Sequence, residues 1–157
     1  MMKMAFIWLE SPIGPLTVRA DEKGITAVSF GKTDEEGMPE PRHPLLLRAA
    51  SELEAYFAKK RTRFDVPVSV SGTPFQMAVW EALKKIPYGE TCSYKDIAEA
   101  VGNPKAVRAV GQANRKNPVP ILIPCHRVIG KDKSLTGYAG SRIDQKAFLL
   151  HLEGAII

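Results

Sequence analysis

The chain has 157 residues, a net charge of +5 and 45% hydrophobic residues, enough for one ordinary domain or a small domain joined to a larger one, with nothing that suggests disorder. Cys92 and Cys125 allow one pairing and no disulfide framework, so a reducing, cytoplasmic setting is expected; with His43, His126 and His151 far apart, no metal site is expected. The apolar run before Glu10 and Pro12 is too short for a signal-peptide core or a membrane span, so a membrane is not an expected partner.

Short alternating runs at Ala5 to Leu9, Leu16 to Ala20 and Ile25 to Phe30, punctuated by Pro12-Ile13-Gly14 and Lys23-Gly24, predict a small antiparallel sheet. The stretch from Gly31 to Pro44, rich in acids and prolines, reads as a loop. Leu45, Leu46, Ala49, Ala50, Leu53, Tyr56 and Phe57 recur at helical spacing, and a further strand is expected near Phe64 to Val70. These apolar positions read as core, and this half carries no chemical motif. The division falls at Ser71, giving an amino-terminal domain over 1–71 and a carboxy-terminal one over 72–157.

Thr73-Pro74 opens the second half as a cap followed by proline at the first helical position, and Phe75, Val79, Ala82, Leu83 and Ile86 mark one apolar face up to Pro87-Tyr88-Gly89. Ser93 caps a short helix with Tyr94, Ile97, Ala98 and Val101 inward. Gly102 closes it, and Asn103-Pro104 starts another. Two short helices joined this way read as helix-turn-helix. In the second, Ala106, Ala109, Val110 and Ala113 are expected to be buried, leaving Lys105, Arg108, Gln112 and Arg115 on the opposite face, the one available to DNA.

Charge concentrates here. From Asn103 to Lys133 seven basic residues, Lys105, Arg108, Arg115, Lys116, Arg127, Lys131 and Lys133, face one acid, Asp132, a net of +6, while the rest of the chain sums to −1. Such a segment favours a polyanion, although a solvated basic surface with no partner has the same composition. Within it lies Ile121-Leu122-Ile123-Pro124-Cys125-His126-Arg127-Val128-Ile129-Gly130. A thiol beside His and Arg, in the first turn of a helix that Pro124 would open, has the surroundings that lower a thiol pKa and make a nucleophile. Taken alone, a Cys beside such apolar residues is more often a small buried hydrophobe.

From about Gly72 to Gly140 the chain resembles the O6-alkylguanine-DNA alkyltransferase (methylated-DNA–protein-cysteine methyltransferase) family, as does Ser11 to Gly31. The run Pro124 to Val128 carries the resemblance, with Asn117-Pro118-Val119-Pro120 upstream and Gly137-Tyr138-Ala139-Gly140 downstream. The resemblance implies an α/β protein: a small amino-terminal antiparallel-sheet domain with a helix, packed on a mainly helical carboxy-terminal domain containing the helix-turn-helix. It also implies single-turnover repair of O6-alkylguanine, and of O4-alkylthymine, in double-stranded DNA, with no cofactor and a monomeric protein.

The roles implied by resemblance are these. Cys125 is the alkyl acceptor, His126 takes the thiol proton through a water, and Glu153 orients the imidazole. Tyr94 serves the base N3, backbone groups near Cys125, Val128 and Ala139 read the base edges, and Tyr138, Gly140 and Lys146 line the region around O6. Arg108 fills the stack vacated by an extruded nucleotide, Asn117 ties the helix-turn-helix to the cysteine turn, and Lys105, Gln112, Arg115 and Lys116 contact phosphate or groove. The chain departs from the family at Ser141, where many members have a second glycine and a shorter interval to the lysine; Ser141 with Asp144 could cap the last helix. Rival readings are a lesion-binding relative lacking the acceptor cysteine, a transcription regulator and a thiol hydrolase. Cys125 argues against the first, the lack of a dimerisation segment against the second, and the lack of an oxyanion motif against the third.

Overall fold

The computed structural model describes residues 5–33, 38–40, 42–130 and 143–155. Contacts divide the chain into two compact units, Met1–Val70 and Ser71–Ile157. In the first, β1 (Ala5–Leu9), β2 (Leu16–Ala20) and β3 (Ile25–Phe30) pair antiparallel, with Ile7 opposite Val18 and Val18 opposite Val28. Leu16, Val18, Ala20 and Ile25 are fully buried, as are Leu46, Ala49, Leu53 and Tyr56 on one face of α1 (Pro44–Phe57). Burying one aliphatic side chain is worth about 1.5–3 kcal/mol, so this sheet and helix face form the core of the unit.

Two expectations are corrected here. The stretch read as loop contributes a two-residue strand, β4 (Met38–Pro39), parallel to β1, so the sheet has four strands in the order β3-β2-β1-β4. The strand expected near Phe64 to Val70 is only a bridge between Ile25 and Val68. Backbone bonds from Ile25 N to Pro67 O (2.8 Å) and from Ser69 N to Ile25 O (2.7 Å) hold it, and Pro67 has no N–H with which to extend a ladder. The close approach also explains Gly24, where a Cβ would lie 2.7 Å from the Pro67 carbonyl oxygen.

The second unit opens with α2 (Pro74–Lys84), started by a capping box in which the Thr73 hydroxyl accepts from Gln76 N (3.1 Å) and the Gln76 side chain accepts from Thr73 N (3.0 Å). A second capping box, Ser93 with Asp96, starts α3 (Tyr94–Ala100). The following helix, α4, runs Val107–Arg115, three residues later than Asn103-Pro104 suggests. Asn103 O closes a turn onto Ala106 N (3.0 Å) instead of beginning α-helical bonding. Of the expected stripe Val110 and Ala113 are buried, Ala106 is half-buried and Ala109 is exposed, and Asn114 is buried in addition. Two-residue strands β5 (Cys92–Ser93) and β6 (Val128–Ile129) pair in parallel, a single 3₁₀ turn covers Cys125–Arg127, and α5 (Ile143–Leu152) completes the described chain.

No helix among the described residues is long and apolar enough to cross a membrane, and no group of three or more potential metal-binding side chains occurs among them. Replacing Thr73 by Ala removes the reciprocal cap of α2, and a loss of about 1 kcal/mol in denaturant-induced unfolding is expected, with Thr73→Ser retaining most of the stability.

Candidate active site

Cys125 is 2% exposed at the start of the 3₁₀ turn, with Pro124 as its cap residue rather than its first helical residue. The segment leading to it is tightly constrained. Ile121, a β-branched residue, takes φ of +75°, a left-handed conformation that costs such residues on the order of 1–3 kcal/mol. Asn117 offsets that strain through its buried amide: Nδ2 donates to Ile123 O (2.8 Å), Oδ1 accepts from Val119 N (3.0 Å), and the side chain also hydrogen-bonds the Cys125 sulfur. Asn114, on the inner face of α4, makes a longer contact from Nδ2 to Cys125 O (3.4 Å). Trp80 Nε1 donates to Ala113 O (2.9 Å), fixing α4 on α2. The helix-turn-helix and the Cys125 turn are thus joined by direct side-chain bonds.

Behind the cysteine, His126 Nε2 lies 2.7 Å from Glu153 Oε2, and both side chains are fully buried. Arg127 donates from Nε to Glu153 Oε1 (2.8 Å), from Nη2 to Oε2 (3.0 Å) and from Nη1 to Ile86 O (2.7 Å), while its guanidinium lies over the Tyr88 ring at 5.7 Å. Gly89 adopts φ of +82° against this cluster, where a Cβ would sit 3.2 Å from the Glu153 carbonyl oxygen. Burial alone would raise the Glu153 pKa, but the bonds from His126 and Arg127 outweigh it and hold the carboxyl at about 2. Lys146, fully buried on α5, donates from Nζ to Val128 O (2.6 Å). Its desolvation brings its pKa down to about 8, against the favourable influence of Cys125.

The thiol corrects the reading of the motif. Flanking His and Arg suggest a lowered pKa, yet burial pushes Cys125 up to about 11, opposed by Asn117 and the Lys146 charge. Arg127 does not help because its charge is committed to Glu153. For the same reason Arg127 leaves the basic surface: it is buried, whereas Lys105, Arg108, Gln112, Arg115 and Lys116 are exposed on or beside α4. Tyr94 is half-buried at the start of α3, with Gly111 of α4 packed over its ring edge, and Val128 is buried in β6. Lys131, Lys133, Tyr138, Ala139, Gly140 and Ser141 lie outside the described residues, as does the Asp144 side chain of the expected cap.

Two residues of this cluster take places that the sequence does not assign to them. Asn114 occupies a helical position that looks polar and exposed; only the i, i+3, i+4 relation of Val110, Ala113 and Asn114 marks it as inward. Arg127 looks like one more surface cation in a basic run.

The second unit is therefore a helix-turn-helix module carrying a buried Cys–His–Glu array, joined to an α/β unit. Residues 74–155 match the family described as 6-O-methylguanine DNA methyltransferase, DNA binding domain, and residues 4–70 match its ribonuclease-like domain. The chain belongs to the 6-O-methylguanine DNA methyltransferase family. It is 52% identical to the constitutive methylated-DNA–protein-cysteine methyltransferase of Bacillus subtilis, over 92% of each chain. It is 49% identical to the methylated-DNA–protein-cysteine methyltransferase of Methanosarcina acetivorans, over 97% of this chain and 99% of that one. Among solved structures, the Mycobacterium tuberculosis OGT in complex with DNA aligns with a TM-score of 0.88 at 45% identity, covering 96% of this chain and 92% of that one.

The Glu153 cluster has a pH signature. Its folded pKa lies below the unfolded value of about 4.3, so its contribution, on the order of 2–3 kcal/mol, is present above about pH 4.5 and disappears as pH falls towards about 2. In thermal melts, Glu153→Gln is expected to be less stable than wild type at neutral pH, with the gap narrowing steadily over that acid range.

Proposed function

We propose that the protein repairs O6-alkylguanine in double-stranded DNA by direct reversal, transferring the alkyl group once and irreversibly to Cys125, and that O4-alkylthymine is a second substrate. The observation that carries this is a buried thiol in a strained turn, beside a 2.7 Å His126–Glu153 pair and bonded to the helix-turn-helix through Asn117. Family membership and the kinship with methylated-DNA–protein-cysteine methyltransferases support it.

In the reaction Sγ of Cys125 attacks the alkyl carbon, the S–C bond forms as the C–O6 bond breaks, and the electron pair leaves on guanine O6. The thiol proton passes to His126 through a water, and the guanine anion recovers a proton from the site, so the products are a thioether and neutral guanine. A thiol held protonated by burial does not react until a base draws off its proton, which places the demand on His126, oriented by Glu153. Tyr94 donates to the base N3 as negative charge develops, backbone groups of Val128 and Ala139 read its edges, and Tyr138, Gly140 and Lys146 shape the region around O6.

The target atom is inaccessible inside a stacked duplex, so the nucleotide is extruded, with Arg108 filling the gap. Lys105, Gln112, Arg115 and Lys116 hold phosphate or groove without reading sequence. The protein acts as a cytoplasmic monomer and needs no cofactor, because the damaged base supplies the alkyl group.

Incubation with a duplex bearing labelled O6-methylguanine tests this reading. Label is expected to move covalently to protein, one group per molecule, and Cys125→Ala is expected to bind DNA without accepting label. Multiple turnovers, or full transfer by Cys125→Ala, would overturn it. Arg108→Ala is expected to slow repair in a matched duplex far more than transfer from free O6-benzylguanine, which has no stack to leave; equal slowing would remove the extrusion role. Arg115→Ala is expected to weaken binding across sequences and reduce the salt slope by about one unit.

A further inference from the structure

The Arg127–Glu153 fork places a cation where the proposed mechanism has no use for one. A buried carboxylate next to an imidazole ordinarily does two things: it orients the ring and it draws a proton onto it. The second would be harmful here, since an imidazolium cannot accept the thiol proton of Cys125. We propose that Arg127 is a positioning residue that takes both oxygens of Glu153, so that the carboxylate orients His126 without converting it to imidazolium. The inference rests on the repair reading above and assigns to Arg127 the task of keeping the base in its working form.

The geometry separates the two effects. Glu153 is ionised and can only accept, so the 2.7 Å contact with His126 Nε2 places the ring proton on Nε2 and makes Nδ1 the nitrogen with a lone pair. Arg127 meets the carboxylate edge-on at 2.8 and 3.0 Å, the bidentate arrangement that a lysine cannot reproduce. Its third bond, to Ile86 O at 2.7 Å, and the Tyr88 ring fix the guanidinium from the end of α2.

The charged and titratable groups acting on His126 come from each surrounding element. Burial lowers its proton affinity most; Glu153, just after α5, raises it, and Arg127, on the same turn, and Lys146, on α5, lower it further. Tyr88, above Arg127, has its own pKa raised by burial and by Glu153 and so stays neutral. The balance leaves His126 below its ordinary value, which is the condition for a base at neutral pH.

The experiment reads the ring nitrogens of His126 by NMR in the intact protein, without substrate, between about pH 5 and 8. The wild type is expected to show a neutral ring protonated on Nε2 throughout the upper part of this range. An imidazolium, or a ring protonated on Nδ1, at neutral pH overturns the proposal without any variant. Arg127→Met leaves Glu153 unopposed, so the His126 midpoint should rise by about one pH unit or more. The acid limb of transfer from free O6-benzylguanine should move up by the same amount. Arg127→Lys restores the charge and is expected to return the midpoint towards wild type while remaining slower, because the fork is lost.

A merely structural arginine would lower the melting temperature in both variants and leave the midpoint and the acid limb where they were, which would also overturn the proposal. The expected midpoint shift in Arg127→Met together with no transfer by the wild type would support the positioning role and overturn the repair reading instead.

Discussion

Cys125 lies out of water in a constrained turn, and most of the second unit follows from supplying what that burial demands. The segment from Val119 to Ile129 is buried without interruption. Every backbone group there needs a partner, since an unsatisfied buried one costs about 1–3 kcal/mol. Asn117 satisfies Val119 N and Ile123 O, and backbone bonds from Ile123 N to Val119 O, from Cys125 N to Ile123 O and from Arg127 N to Pro124 O close successive turns. The strained φ at Ile121 survives because these bonds over-determine the turn. The same bonds reach α4, so the helix that would meet DNA and the thiol that would meet the lesion belong to one packed body.

Charge follows the same logic. Arg127 and Glu153 are buried as a bidentate pair, with Ile86 O a further acceptor for Arg127 and His126 a further partner of Glu153. Breaking such a pair by deleting one member leaves an uncompensated charge and typically costs about 3–5 kcal/mol. Lys146 is the further buried cation, held by Val128 O at 2.6 Å and close enough to influence both Cys125 and His126. A thiol pKa raised by burial and an imidazole pKa lowered by burial leave a neutral thiol and a neutral imidazole on adjacent residues at neutral pH.

Local patterns made much of this legible in the sequence. Period-two runs marked β1, β2 and β3, and Leu46, Ala49, Leu53 and Tyr56 marked α1, because both elements bury one face. The caps Thr73 and Ser93 fixed the starts of α2 and α3. What could not be read depended on partners remote in the chain. Arg127 looks like surface charge until Glu153, 26 residues on, is brought to it. Asn114 looks like a surface polar residue until its place beside Val110 and Ala113 on the inner face of α4 is seen. The low thiol pKa suggested by neighbouring cations fails because sequence adjacency reveals neither the burial that raises it nor that Arg127 is already paired with Glu153. Likewise, β4 is too short for any periodicity to announce it.

If the acceptor turn is as closely filled as its burial indicates, an alkyl group on Sγ must displace Asn117 and strain the contacts that tie the turn to α4. Overpacking a core costs about 1–3 kcal/mol. Thermal melts before and after complete reaction, with Cys125→Ala treated identically as the control, measure that coupling directly. The account predicts a lower melting temperature after alkylation, with a larger fall for a benzyl than for a methyl group and no change in the control. An unchanged or higher melting temperature for the alkylated protein would contradict it, because the pocket would then have room for the group and the buried turn could not couple chemistry to the helix.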